Sequence, residues 1–155
     1  MTSDKSFCLI FQDFVVVHSH PGQHIIVNGN KTAIFIEGDV SILHHAIPHG
    51  PLYVGSNTYI GHHVSIYGGT IGRNCVIMHP ASISNYVTIG DNRYVAPGQI
   101  IETEEQAHDL PPVPVKYRDL NAQIVEHLLP SGKGIQRVRS PAYVLISSLT
   151  FETSV

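Results

Sequence analysis

Residues 36–71 read IEGDVSILHHAIPHGPLYVGSNTYIGHHVSIYGGTI. Starting from Ile36, a residue of the kind that faces a hydrophobic core recurs at intervals of six positions. The series makes one five-residue step and then continues to residue 101, and eleven of its twelve members are Ile or Val. The members are Ile36, Ile42, Pro48, Val54, Ile60, Ile66, Ile71, Ile77, Ile83, Ile89, Val95 and Ile101. An amphipathic helix repeats near 3.6 residues and a strand near 2, so neither predicts a sustained period of six.

A period of six is typical of a parallel β-helix, in which three hexapeptides form one triangular coil. Asn or Gly, which tolerate a left-handed corner, lie three positions after several members of the series. These corner residues are Asn57, Gly69, Asn74, Asn92 and Gly98. We therefore predict an all-β core, a left-handed parallel β-helix of hexapeptide repeats. The alternative, a β-sandwich of short strands, does not explain one period held over twelve repeats.

The series predicts where the coil is interrupted and where it ends. The segment from Val17 to Ile36 consists of one hexapeptide plus a loop of 13, and in this loop Ile25–Val27 could pair with Ala33–Ile36 as a hairpin. Apolar residues at helical spacing predict a C-terminal α-helix over residues 117–129. We predict one domain over residues 1–130 and an irregular tail over residues 131–155, in which 144–146 could form a strand.

The composition excludes several classes of protein. Apolar residues make up 43% of the chain, too many for a disordered protein, and nine Lys and Arg residues give no basic excess for nucleic-acid binding. No apolar run approaches the ~20 residues of a membrane span, and the N-terminus is a poor signal peptide, so we expect a cytoplasmic protein. Charged residues are only 14%, yet there are eleven histidines, which makes histidine the residue type to explain.

Three histidines have a specific place on the coil. His18 and His49 each follow an inward position, and once the loop is left out their positions differ by three hexapeptides, so they should stack outward on adjacent coils. His44 lies roughly 16 Å from His49 along an extended chain at about 3.3 Å per residue. One zinc ion can therefore take His18 and His49 from one chain, and His44 only from a neighbouring chain. The alternative is that these are surface histidines paired by chance.

Several segments carry a family resemblance. The segments ILHHAIPHGP (Ile42–Pro51) and FQDFVVVH (Phe11–His18) resemble those of gamma-class carbonic anhydrases, of the archaeal type and of the carbonic-anhydrase-like domain of carboxysomal scaffold proteins. RNCV (Arg73–Val76) and EQAHDLP (Glu105–Pro111) are also similar to the family. The five-residue step falls where those proteins have it, and the resemblance spans about residues 8–130.

The resemblance implies a homotrimer with a metal ion at each interface. Its ligands would be His18 and His49 from one chain and His44 from the next, and Gln12 matches the family glutamine that positions the metal-bound water or bicarbonate. Zinc is the expected ion, and Fe(II) or Co(II) also suits three imidazoles. The implied activity is that of a lyase, the reversible hydration of CO₂ to bicarbonate by a metal-bound hydroxide.

The chain also departs from the family. Archaeal enzymes place a proton-shuttle glutamate in the loop that here lacks Asp and Glu, so we predict that His20 or His24 carries the proton. The family begins with further coils, and Met1 starts too late to include them, so we expect an N-terminally shortened relative. Two alternatives follow. One is a weakly active or inactive scaffold or interaction trimer, with a carboxysome-like assembly as its partner, and the other is a hexapeptide-repeat acyltransferase that uses one histidine base.

Overall fold

The computed structural model describes residues 9–128 and 143–146, and short strands dominate it. The strands are β1 (Ile10–Phe11), β2 (Ile25–Val27), β3 (Asn30–Thr32), β4 (Ile34–Glu37), β5 (Ser41–Ile42), β6 (Ile47–Val54), β7 (Tyr59–Ile60), β8 (Ser65–Ile71), β9 (Val76–Ile77), β10 (Ser82–Ile83), β11 (Thr88–Ile89), β12 (Tyr94–Val95), β13 (Ile100–Ile101) and β14 (Tyr143–Ile146). The helices are α1 (Glu104–His108), a 3₁₀ helix (Val115–Tyr117) and α2 (Leu120–Leu128).

Parallel pairing between successive coils builds the molecule. Five strands pair in the order β1-β5-β7-β9-β12, and Ile42 lies opposite Ile60, which lies opposite Ile77. A second sheet runs β13-β10-β8-β6-β4-β14, with β11 also paired to β8. Residues that pair between these neighbouring coils are therefore separated in sequence by three hexapeptides. Where the coil contains the five-residue step, the separation is one residue shorter. The predicted parallel β-helix with a C-terminal helix is confirmed.

The inward column of the repeat is the core. Eleven of the twelve series members are at most 1% exposed, and Pro48 is also buried. Full burial of one such side chain contributes about 1.5–3 kcal/mol, so burial of the whole column is a large favourable contribution to folding. The thiol of Cys75 lies in this core as well, and burial raises its pKa to about 11.

Left-handed backbone conformations mark the corners of the coil. Asn57, Asn74 and Asn92 all have φ between 56 and 58° and occupy equivalent places on successive coils. The side-chain Nδ2 of Asn57 donates to Oδ1 of Asn74 at 2.9 Å, which links two of the corners. The predicted corner glycines Gly69 and Gly98 also have positive φ, at 101° and 74°. The corner prediction is therefore confirmed at all five positions.

Two adjacent glycines, Gly68 and Gly69, accommodate the five-residue step. β6 and β8 pair at His49 and Tyr67 and again at Leu52 and Gly69, so one strand uses one residue fewer between the two pairs. A Cβ atom on Gly69 would collide with the carbonyl oxygen of Val87 in the next coil. Only glycine fits this close approach, so the coil shortens here without losing its backbone pairing.

The hairpin in the loop that follows Val17 differs from the prediction. β2 pairs antiparallel with β3 (Asn30–Thr32) and not with Ala33–Ile36. Asn28 and Gly29 both have positive φ, which is the two-residue turn that most tightly closes a hairpin. Residues 34–36 are buried and pair with β6 instead, because the apolar side chains of this segment already belong to the coil.

Helices cover one face and one end of the β-helix. Leu120 and Ile124 of α2 pack with Tyr59 and Val76, which point outward from the five-stranded sheet, so the predicted helix lies along one face. α1 was not predicted; a capping box begins it, and its Ala107 joins the end of the core. Within the described residues, no helix has the length and apolar character needed to cross a membrane.

The C-terminal tail contributes one strand. β14 pairs antiparallel with β4, with Tyr143 opposite Glu37 and Ile146 opposite Ile34. The predicted strand at 144–146 is thus present, one residue longer. The rest of the predicted irregular tail lies outside the described residues.

Two adjacent isoleucines of β13 test the core assignment. Ile101 is 1% exposed and Ile100 is 60% exposed. Ile101→Ala should lower the free energy of unfolding by about 2–5 kcal/mol, because it leaves a cavity in the column. Ile100→Ala should change it by about 0.5 kcal/mol or less. Denaturant unfolding of both variants checks this, and equal losses would contradict the inward assignment.

Candidate metal centre

His18 and His49 lie side by side on adjacent coils, as the spacing predicted. The two residues form a parallel β-bridge, in which the amide N–H of Gly50 donates to the His18 carbonyl at 2.7 Å. The next coil places Tyr67 opposite His49, with their rings stacked 4.3 Å apart. Although His18 and His49 are far apart in sequence, the coil brings the two imidazoles into contact.

The ring nitrogens of this pair are oriented toward each other. Nδ1 of His49 lies 2.6 Å from the Gly50 carbonyl oxygen, which only accepts, so Nδ1 carries the proton. Nε2 of His49 therefore presents a lone pair, 3.0 Å from Nδ1 of His18. Two nitrogens bound to one tetrahedral zinc lie about 3.3 Å apart, given Zn–N bonds of about 2.0–2.1 Å. The pair is thus close to the spacing that a metal ion requires.

The surroundings of His49 favour its neutral, metal-binding form. Burial lowers the pKa of His49, and the nearby His18 and His20 lower it further, while the Gly50 carbonyl opposes these effects. A neutral imidazole is the form that ligates a metal ion. A second nitrogen held by a backbone carbonyl is also typical of ligating histidines, because it orients the ring.

A third imidazole joins the pair. Among the described residues, one group of three potential ligands stands close enough to hold a metal ion, His18, His20 and His49, with candidate ligand atoms within 4.8 Å of one another. His49 is buried, whereas His18 and His20 are exposed. The sequence predicted the first and last of these as ligands and named His20 as a proton carrier.

His44 lies outside this group in the single chain. Its ring stacks on His62, one coil further, at 5.3 Å between ring centroids and 6° between ring planes. His45 and His63 occupy the neighbouring corner, with φ of 62° and 56°, and their rings also stack. The separation of His44 from the other two predicted ligands agrees with the spacing argument. Its role in a neighbouring chain's site stays a prediction.

The comparisons with known proteins point to one family, although no protein-family model matches the chain. It is 32% identical over 115 residues to the carboxysome assembly protein CcmM of Nostoc sp., covering 74% of this chain and 20% of that protein. It is 36% identical over 91 residues to the carbonic anhydrase of Methanosarcina thermophila, covering 59% of this chain and 36% of the enzyme. CcmM of Synechococcus elongatus is 31% identical over 117 residues, 75% of this chain and 22% of CcmM.

The chain is a homologue of these proteins. The predicted resemblance to gamma-class carbonic anhydrases and to carboxysomal proteins is thereby confirmed. The matches span about a fifth to a third of the length of these relatives, between 20% and 36%.

The remaining predicted residues of this carbonic anhydrase homologue, Gln12 and His24, differ in their surroundings. Gln12 has a buried side-chain oxygen, Oε1, with no hydrogen-bond partner among the described residues, and its backbone N–H donates to the Ile42 carbonyl. His24 is exposed in the loop, with Nδ1 at 3.3 Å from the Gly22 carbonyl, and it is not part of the three-histidine group. Gln12 therefore offers an unused acceptor, whereas His24 shows a local contact.

Sequence reasoning missed a polar cluster on another face of the β-helix. Glu37 accepts hydrogen bonds from Nε and Nη2 of Arg73 at 2.9 and 2.8 Å, from the Ser56 amide and from the Tyr53 hydroxyl. The Arg73 bond is the main reason that the pKa of Glu37 falls to about 2, against the opposing effect of burial. Burial and then the Glu37 bond raise the pKa of Tyr53 to about 12. Tyr53 lies one coil away from Glu37, and Arg73 lies two coils away. Because the three residues are far apart in sequence, no local sequence motif indicates the cluster.

Glu37 should make the fold sensitive to acid. Its folded pKa of about 2 lies below the ordinary 4.5, so its stabilising effect is complete above pH 4.5 and is lost as the pH falls toward 2. Glu37→Gln and Arg73→Met should both flatten the pH dependence of the unfolding free energy in this window. Arg118→Met, which leaves the ion pair intact, serves as the control. An unchanged slope in both variants would refute the assignment, and denaturant titrations across the pH range measure it.

Gly50 should be essential for the position of His49. A Cβ atom at this position would lie 2.6 Å from Oγ of Ser19 and 2.7 Å from the carbonyl oxygen of Ala33. We expect Gly50→Ala to lower the free energy of unfolding by about 1–3 kcal/mol, because backbone must shift. Gly90→Ala is the matched control, since an added Cβ there meets nothing within 4 Å. Denaturant unfolding that shows the same stability for both variants would argue against this close packing.

Proposed function

We propose that the protein is a metal-dependent carbonic anhydrase, which hydrates CO₂ reversibly to bicarbonate at sites between the chains of a homotrimer. The observation that carries the proposal is the His18–His49 pair, with nitrogens 3.0 Å apart, in a homologue of an archaeal carbonic anhydrase. In the proposed trimer, His44 of a neighbouring chain supplies the third imidazole. Three imidazoles with an open position are the donor set of a catalytic zinc site.

The residues of the chain would prepare this site in several ways. A bound divalent ion supplies Lewis acidity, which lowers the pKa of a coordinated water to about 7. The Gly50 carbonyl holds the His49 ring so that Nε2 points toward His18. The buried Oε1 of Gln12 can accept a hydrogen bond from a proton-bearing group of the substrate or from water. Zinc is the proposed ion, with Fe(II) or Co(II) as alternatives.

The predicted proton carriers differ in their surroundings. His20 lies within the three-histidine group, and its Nε2 is 3.0 Å from the Tyr67 hydroxyl. His24 is exposed and contacts the Gly22 carbonyl of its own loop. A proton carrier must exchange with solvent and then reorient, and the open surroundings of His24 suit this better. His24 is therefore the proposed carrier, with His20 retained as the alternative.

A second candidate function is that of a scaffold or interaction trimer. Two proteins named for carboxysome assembly match 74% and 75% of this chain, more than the archaeal carbonic anhydrase does. In this alternative the metal, if bound, stabilises the interface, and the partners belong to a carboxysome-like shell. The acyltransferase alternative needs one histidine base and offers no reason for three clustered imidazoles.

Rates of CO₂ hydration distinguish these functions. The metal-loaded wild type should hydrate CO₂, and removal of the metal with a chelator should abolish the activity. His44→Ala and His18→Ala should each lower the rate by more than about 100-fold, because loss of a direct ligand exceeds the 10–100-fold cost of losing its hydrogen-bond partner. Stopped-flow measurement with a pH indicator checks both expectations.

The matched control for these variants is His108→Ala. The His108 side chain is 89% exposed on α1 and lies outside the three-histidine group. Its replacement should leave the rate unchanged. If the metal-loaded wild type and His44→Ala both show only the background rate, the catalytic proposal fails and the scaffold function is supported.

A further inference from the structure

The three-histidine group is complete within one chain. His18, His20 and His49 have candidate ligand atoms within 4.8 Å of one another, without any residue of a neighbour. The spacing argument took only two ligands of any one site, His18 and His49, from the same chain. His20 lies in the loop that leaves the coil and has no position in the repeat. The path of this loop after Val17 turns the third imidazole back toward the other two.

The ring positions agree with shared coordination of one ion. The ring centroids are 4.9 Å apart for His18 and His49, 4.9 Å for His20 and His49, and 5.5 Å for His18 and His20. With Zn–N bonds of about 2.0–2.1 Å, an imidazole centroid lies about 3.2 Å from the ion, and two tetrahedral ligands then have centroids about 5.2 Å apart. All three observed separations lie within a few tenths of an ångström of this distance.

His20 is also held as a ligand would be held. Its Nε2 lies 3.0 Å from the Tyr67 hydroxyl, which leaves Nδ1 as the nitrogen available to an ion. Tyr67 in turn stacks on the His49 ring at 4.3 Å, so one side chain positions two of the three imidazoles. His49 is held in a similar way, since its Nδ1–H donates a hydrogen bond to the Gly50 carbonyl. A hydrogen bond to the second ring nitrogen is typical of metal-ligating histidines.

We propose that His20 is a metal ligand in the separate chain, which binds a transition-metal ion through His18, His20 and His49 alone. In the proposed trimer, His44 of a neighbour would replace His20 and so keep one position of the ion open. The exposed faces of His18 and His20 give the ion access from solvent. This inference goes beyond the proposed function, because it concerns how the chain acquires its metal and holds whether or not the protein hydrates CO₂.

Binding of Co²⁺ to the metal-free 155-residue chain tests the proposal. Co²⁺ bound by three imidazoles in a near-tetrahedral site has intense visible absorption, which reports coordination directly and independently of activity. His44→Ala removes the ligand that a neighbour would supply and should still bind one Co²⁺ per chain, because the in-chain ligands are intact. Adding His20→Ala to the His44→Ala variant should weaken Co²⁺ binding by at least about tenfold and alter the spectrum, because a direct ligand is lost.

Matched variants make the outcome decisive. His24→Ala removes an imidazole from the same loop but outside the group and should keep wild-type affinity, while His18→Ala should lose binding. Circular dichroism of each variant confirms that the fold is retained. The proposal would be overturned if the double variant bound Co²⁺ with the affinity and spectrum of His44→Ala, and also if His44→Ala bound no Co²⁺. Co²⁺ binding without CO₂ hydration would instead refute the proposed function and leave this inference standing.

Discussion

Burial of one aliphatic side chain at every sixth residue is the constraint on which the rest of this structure depends. The side chains of the inward column, from Ile36 to Ile101, are almost completely buried. To bury them, the chain must return to the same three faces in each coil. Each coil then satisfies its backbone N–H and C=O groups with the coils above and below. A single hexapeptide could do neither, so stability is a property of the stack.

The same constraint creates the candidate metal centre. Two histidines that are distant in sequence become neighbours because the coil repeats its outward positions as regularly as its inward ones. These positions point away from the aliphatic core, so the column can carry imidazoles without displacing a core side chain. Packing still limits the chain next to the histidine column at Gly50. Ser19 and Ala33 pass so close to this residue that no side chain fits there, beside His49.

The remaining surfaces divide into covered and open regions. α2 covers the five-stranded sheet, where Asn121 donates to the Asp39 carbonyl at 2.6 Å and to Oδ1 of Asn57 at 3.0 Å, joining the helix to the corner residues. The edge that carries the histidines has no such cover from the described part of the chain, and His18 and His20 are exposed there. Low charge is consistent with faces that are partly core and, in the proposed trimer, partly interface.

The sequence by itself determined whatever depends on the repeat. The period set the fold, the left-handed corners at Asn57, Asn74 and Asn92, and the contact of His18 with His49, because a regular coil places residues by counting alone. Only the tertiary structure decided the features that counting residues along the repeat does not fix. The Asn28–Gly29 turn pairs β2 with β3. The Glu37–Arg73 ion pair links residues two coils apart. The loop after Val17 places His20 beside the other two imidazoles. These depend on the path of non-repeating chain and on side-chain reach, which no period encodes.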